Sequence, residues 1–374
     1  MHFINLHKQY TLIEKQINEG IQKVLSHGKF IMGPEVYEFE EKLADYVGVK
    51  HVISCANGTD ALLMPLMAWG IGKGDAVFTT VFSFFATAEV IALIGATPVF
   101  VDIEETTFNI CTNSLEKQIV KIQKEAKLSA KGIIPVDLFG LSADYDKILE
   151  IATKHNLKVL ADAAQSFGGA YYGKKNGSYG DAAGTSFFPL KPLGCYGDGG
   201  AMFTNDDELA ERLRSIRVHG HGADKYDNIR LGLNSRLDTL QAAILLPKLA
   251  ILDKEIVKRD ELAKEYNSAL GETVKVPCIP SHSTSAWAQY SVLAKNLHER
   301  EDIQISLNKV GIPSMIYYKK PLHLQEALAG LGYKAGDFPV AEDVANRILS
   351  LPMHPYLEVT QQKAMVEAVV NSGR

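Results

Sequence analysis

Between His51 and Asn205, short apolar runs alternate with segments of helical periodicity, and that alternation dictates the fold class. HVISCA reads as a buried strand and NGTDALLMPLMAWG as a turn into a helix that ends at Gly70. AVFTTV, TPVFVDI, KGIIPVDLFG and LKVLADAA read as strands, with TAEVIALIG and YDKILEIATKHN as helices among them. GTSFFPL and GGAMFTN follow as two short strands around a loop. Strand and helix alternating at this spacing imply a mostly parallel sheet covered on both faces. DELAERLRSIRVHG and the long pattern from Leu237 to Leu270 are helical, the second interrupted at Pro247. Beyond about residue 265, AWAQYSVLAK reads as a strand, with helices in EREDIQISLNKVG and QQKAMVEAVVNS. The expected division is a large α/β domain over residues 1–250 and a smaller α+β domain over 251–374.

Composition serves mainly to exclude. Thirty-nine basic residues against 44 acidic ones leave a formal net charge of −5, so no strong positive field awaits a nucleic acid. The four cysteines, Cys55, Cys111, Cys195 and Cys278, show no C-x-x-C spacing, so neither a zinc site nor a disulfide framework is indicated. No apolar stretch behind a basic start marks a signal peptide, and a reducing, cytoplasmic setting is expected. From Ala76 to Val101 the chain is long enough to cross a bilayer, and its only charge is Glu89. That mid-segment carboxylate, the hydroxyls of Thr79, Thr80, Ser83 and Thr87, and the breakers Gly95 and Pro98 favour two buried strands around a helix instead, so no membrane partner is expected.

In a sheet of this kind ligands sit outside the carboxyl ends of the strands, and four features fall there. Asn57-Gly58-Thr59-Asp60 lies between a strand and a helix. Its glycine permits close approach, and the free N–H groups and dipole of the helix suit a phosphate, although a simple N-cap accounts for the same residues. Asp162 closes an apolar run at the mouth of the sheet, placed for a metal, a ribose, a protonated ring nitrogen or a helix cap. Lys191 is the lone charge in SFFPLKPLGCYG. An ammonium in apolar surroundings loses solvation, its pKa falls, and it becomes a usable nucleophile or base. Arg236, near Asn234 in GLNSRLDTLQAA, is a fork-shaped donor for carboxylate or phosphate, or one half of a structural salt bridge. A phosphate cradle, a buried acid, a reactive lysine and an anion-binding arginine are the parts a pyridoxal phosphate site needs.

The blocks GKFIMGPEVYEFEEKLADYVG, NGTDAL, SFFATAEVIALIGATPVFVDI, ADAAQSFGG, SFFPLKPLGCYGDGGAMFTN, RLGLNSRLDTLQAAIL and FPVAEDVANRILSLPMHP span almost the whole chain. Their order and spacing resemble the sugar-nucleotide aminotransferases of the DegT/DnrJ/EryC1/StrS family, pyridoxal phosphate enzymes of fold type I. The resemblance implies that Lys191 forms the Schiff base and moves the proton, that Asp162 partners the pyridinium nitrogen, and that Gln165 meets the phenolic oxygen. Gly58, Thr59 and Ser186 would hold the phosphate, and Phe84 would stack on the ring. Asn234 would reach the cofactor phosphate of a neighbouring subunit, so the site would belong to a homodimer. Arg236, His323 and Tyr317 would meet the sugar nucleotide. Two residues depart from the pattern: Pro192 follows the lysine where many relatives have Asn, and Asp137 stands in PVDLFG where many have His.

The activity so implied is transfer of an amino group from L-glutamate to a nucleotide-linked keto-sugar through pyridoxal and pyridoxamine phosphate. The product is an amino-sugar nucleotide for surface polysaccharide, lipopolysaccharide included, and no metal takes part. KPLGCYGDGGA most resembles members acting at C3 of a UDP-linked N-acetyl keto-uronic acid; a dTDP-linked 3- or 4-keto-6-deoxy sugar is the alternative. A non-catalytic sugar-nucleotide binder on the same fold would not need Lys191 together with Asp162. A Rossmann-type dehydrogenase is disfavoured, because no G-x-G-x-x-G follows an early strand.

Overall fold

The computed structural model describes residues 1–224 and 226–372. Its centre is a seven-stranded sheet made of β1 (His51–Cys55), β2 (Asp75–Thr80), β3 (Thr97–Val101), β4 (Ser129–Ile134), β5 (Lys158–Asp162), β8 (Ala182–Ser186) and β9 (Gly200–Thr204), in the order β1-β9-β8-β5-β4-β2-β3. The strands run parallel except β9, which pairs antiparallel with both neighbours. Two-residue strands β6 (Ala170–Tyr171), β7 (Lys174–Lys175) and β10 (Ser283–Thr284) form a small ribbon at the side.

Successive strand residues point to opposite faces, and both faces are covered. Val52, Phe78, Val101, Val159, Ala161 and Phe203 pack with helices α2 (Pro34–Val47), α5 (Thr112–Glu125), α6 (Tyr145–His155) and the sheet-side half of α8 (Thr239–Leu270). Their neighbours Ile53, Val77, Leu160 and Met202 pack instead with α3 (Gly58–Ala68), α4 (Ala86–Leu93) and α7 (Asp207–Ile216). Apolar residues on both faces of these strands, rather than on alternate positions only, are the consequence. No helix among the described residues is long and apolar enough to cross a membrane, and Ala76 to Val101 folds as β2, α4 and β3.

Two local expectations are corrected. The strand expected through Gly140 stops at Ile134, because Pro135 lacks the N–H that a ladder needs. A short 3₁₀ turn follows at Leu138–Gly140, held by the Asn109 side chain, which accepts from Leu138 N–H and donates to Leu141 and Ser142 carbonyls. Nor does Pro247 interrupt the long helix: α8 is continuous from Thr239 to Leu270. The first helix, α1 (Leu6–His27), lies along this stretch, with Gly20 against the Ala243 carbonyl that a proline at 247 cannot engage. Packing against α1 and α2 thus keeps the helix continuous through its weakest point.

Position 250 falls inside α8. Leu252 and Ile256 still pack into the sheet-side core, whereas Ala263, Tyr266 and Leu270 belong to a second core. That core is completed by β11 (Tyr290–Leu293) paired with β12 (Ile348–Leu351) and by α9 (Leu297–Lys309) and α11 (Val359–Val370). Helix α10 (Pro339–Arg347) joins a further cluster, in which Val344 and Ile348 meet Val81, Phe82 and Phe100 beside the sheet. It ties the C-terminal region to the strand ends, where the site lies.

Candidate active site

A cavity of about 410 Å³ opens at the carboxyl ends of β1, β2, β5 and β8. Its walls include Gly58, Thr59, Phe84, Asp162, Gln165, Ser186, Lys191 and Tyr317. Seven of these eight were expected to bind cofactor, and Tyr317 was expected to bind substrate.

Asp162 is the last residue of β5 and is buried. Thr87 Oγ1 donates to its Oδ2 at 2.8 Å, and Ala164 N–H donates to Oδ1 at 3.2 Å. Burial raises its carboxyl above the ordinary value, opposed by those two donors and by the charge of Lys191. Lys191 sits in the loop between β8 and β9, its own N–H bonded to the Phe188 carbonyl at 2.9 Å. Desolvation depresses its ammonium, and Asp162 works in the other direction. A loop that holds a lysine against an acid must be fixed, and this one is. Gly194 packs so closely that a Cβ there would lie 2.4 Å from the Pro189 carbonyl. Behind it, the buried Lys248 of α8 donates to the Gly194 carbonyl at 2.6 Å and lies 4.1 Å over the Tyr196 ring.

Gln165 is oriented at both ends. Phe139 N–H donates to its Oε1 at 2.9 Å, and its Nε2 donates to Tyr318 Oη at 3.0 Å. Across the cavity, Asn57 caps α3 by accepting from Asp60 N–H at 2.8 Å. The N–H groups of Gly58 and Thr59, in the first turn, have no intrahelical acceptor. A Cβ on Gly58 would come within 2.6 Å of Ser186 Cβ, so only glycine lets the helix start this close to Ser186. Two free N–H groups, a positive helix end and a hydroxyl converge there. The cradle and the lysine–acid pair suit the chemistry of a pyridoxal phosphate, which needs an anion site at one end and an amine beside an acid at the other.

Three expected residues lie elsewhere. Asn234 is exposed and accepts a hydrogen bond from Arg236, and neither lines the cavity of this chain. His323 is buried, with Nε2 3.1 Å from Glu342 and its ring 4.8 Å from Phe338, and it too stands outside the lining. Conversely, Thr87, Ser83, Tyr318, Gln289 and the N-terminal Phe3 and Ile4 form part of the wall without having been singled out. Thr87 carried a usable signal, a hydroxyl inside an apolar helical segment. Phe3 and Ile4 carried none, because a terminal segment shows no periodicity.

A lysine in a desolvated strand-end loop, facing an acid from the adjoining strand and a phosphate cradle on a helix, defines a pyridoxal-phosphate-dependent aminotransferase. The sequence profile described as the DegT/DnrJ/EryC1/StrS aminotransferase family matches residues 11–370, and the chain belongs to that family. The chain is 49% identical to the UDP-2-acetamido-2-deoxy-3-oxo-D-glucuronate aminotransferase of Pseudomonas aeruginosa over 99% of both proteins. It is 39% identical to the dTDP-3-amino-3,6-dideoxy-alpha-D-galactopyranose transaminase of Aneurinibacillus thermoaerophilus, over 99% of both. The crystal structure of a DegT/DnrJ/EryC1/StrS aminotransferase from Brucella abortus superposes with a TM-score of 0.96 at 53% identity, covering 99% of this chain and 98% of that one.

Proposed function

We propose that the protein transfers the amino group of L-glutamate to C3 of a UDP-linked 2-acetamido-3-keto-uronic acid, in the reducing cytoplasm, as a step toward surface polysaccharide. The observation that carries the transfer chemistry is the desolvated Lys191 set against Asp162. The similarity to the Pseudomonas enzyme supports the choice of sugar, and four free cysteines are in keeping with the compartment.

Bound at this site, pyridoxal phosphate supplies the aldehyde that carries the amine and a ring that withdraws electrons from the substrate carbon. The protein supplies the rest. Gly58 and Thr59 N–H and Ser186 Oγ anchor the phosphate end. Asp162, locked by Thr87 and Ala164, presents a fixed negative charge that keeps a ring nitrogen protonated. Gln165, held by Phe139 and Tyr318, orients the phenolic edge. Lys191 would be the group that takes a proton from the substrate carbon and hands it on to the far side of the shared nitrogen; its depressed pKa favours the neutral amine this role needs. Apolar walls from Phe84, Phe188 and Leu190 limit water.

The hydrogen-bonded pair of exposed Asn234 and half-buried Arg236 would reach the cavity of a second copy, with Arg236 toward the anionic nucleotide sugar. The working unit is then a homodimer.

The test is a panel of nucleotide keto-sugars offered with glutamate, the products being read by mass and NMR. Amination of the UDP-3-keto-uronate supports the assignment. Exclusive use of dTDP-linked deoxy-sugars would replace the sugar while leaving the chemistry intact.

A further inference from the structure

Gln289 immediately precedes β11 and lines the active-site cavity together with Tyr317 and Tyr318, and on its other side a small pocket bounded by Phe139, Trp287 and Ser291. Its main-chain N–H donates to the Phe139 carbonyl at 3.4 Å, while Phe139 N–H serves Gln165 at 2.9 Å. One residue therefore links Gln289 and Gln165 and sets them at the same end of the cavity.

The two glutamines differ in how they are satisfied. Gln165 is bonded at both amide atoms. Among the described residues the Gln289 carboxamide has no hydrogen-bond partner, and its Oε1 is buried. A buried amide oxygen without a donor costs free energy that a bound ligand can recover, so such groups in a cavity wall call for a reason. Of the neighbouring polar groups, Gln165 and Tyr318 are bonded to each other and Asp162 to Thr87 and Ala164.

We infer, resting on the function proposed above, that Gln289 reads the keto-sugar by hydrogen-bonding the polar substituent on the carbon next to the reacting carbonyl, the acetamido N–H in a 2-acetamido-3-keto sugar. Glutamate offers nothing equivalent. Its reacting carbon is flanked by a carboxylate and a methylene, neither of which carries an N–H or O–H donor. Gln289 therefore acts in the half-reaction with the sugar and is silent in the half-reaction with the amino acid. A site built around a substrate donor discriminates steeply against compounds that lack it.

The experiment compares wild type with Gln289→Leu, which keeps the side-chain bulk. Three quantities are measured: the rate at which glutamate bleaches the visible cofactor band, kcat/KM for the UDP-2-acetamido-3-keto-uronate, and calorimetric Kd values for the amino-sugar nucleotide product and for UDP alone. The expected result is bleaching within about threefold of wild type, kcat/KM lower by roughly 10- to 100-fold, product affinity weakened by a similar factor, and UDP affinity unchanged. The normal bleaching rate doubles as the control for folding. Equal losses in both half-reactions, or unchanged sugar kinetics and product affinity, overturn the inference. A wild-type enzyme that bleaches with glutamate but aminates no nucleotide sugar overturns the functional reading and this inference with it.

Discussion

Asp162 and Asp137 are two buried carboxylates one strand apart at the same edge of the sheet. Their backbones are laced together, Asp137 N–H to the Asp162 carbonyl at 3.0 Å and Asp162 N–H to the Pro135 carbonyl at 2.9 Å. Val136 is the bridge partner of Asp162, so the alternation of side chains sends Asp137 to the other face. There it accepts from Tyr145 Oη at 2.9 Å, Ser166 Oγ at 2.7 Å and Ala143 N–H at 2.9 Å, with no cation paired to it among the described residues. Burial pushes its carboxyl up to about 7. Asp162 has two donors and Lys191 across an open cavity. One residue type at nearly one height in the sheet thus becomes a brace or a working group, according to the face it leaves from.

That contrast can be broken at its working end first. Lys191→Ala should abolish the visible band of bound cofactor and lower turnover by about 10³-fold or more; multiple turnovers at a normal rate would refute the role given to the lysine. Asp162→Asn removes the fixed negative charge and is expected to cost roughly 10²- to 10³-fold in kcat. If Asp137→Asn costs as much as Asp162→Asn, the distinction between the two acids collapses. Thr87→Val deletes one bond to Asp162 and should lower kcat by about tenfold, a hydrogen bond to a charged group contributing about 1.5–3 kcal/mol; steady-state kinetics with KM little changed would show an effect on chemistry rather than binding.

The smallest effect on turnover belongs to Asp137, where the readout is stability against pH. Its native pKa, about 7, lies above the unfolded value of about 3.9, so the native state prefers the protonated form. The associated stability is complete below about pH 4 and is lost as pH rises through about 7. Between those limits the wild-type Tm should decline relative to Asp137→Asn, with kcat within about fivefold at any one pH. Parallel Tm curves for the two proteins would show that this carboxyl ionises freely in the native state.

The parts of the site legible in the sequence share one property. Asp162 and Lys191 lie at a strand end and in the loop that follows another, and strand ends can be found from where an apolar run stops; Gln165 and Ser186 were indicated by the family resemblance alone. NGTDAL alone reads first as a helix cap, which Asn57 supplies, and only the approach of Ser186 to Gly58, 128 positions away in the chain, brings a hydroxyl beside the free N–H groups. Thr87, Tyr318 and Gln289 reach the cavity through long-range packing that no local pattern records.

Periodicity by itself determined a covered parallel sheet with chemistry at its carboxyl edge, because burial on one or two faces imposes a spacing that can be read along the chain. Which face Asp137 would occupy, whether α8 would survive Pro247, and that Gln289 would line the cavity with its buried amide oxygen unpaired were decided only when distant segments met. Those outcomes depend on distances between residues far apart in sequence, and neither composition nor period encodes such distances.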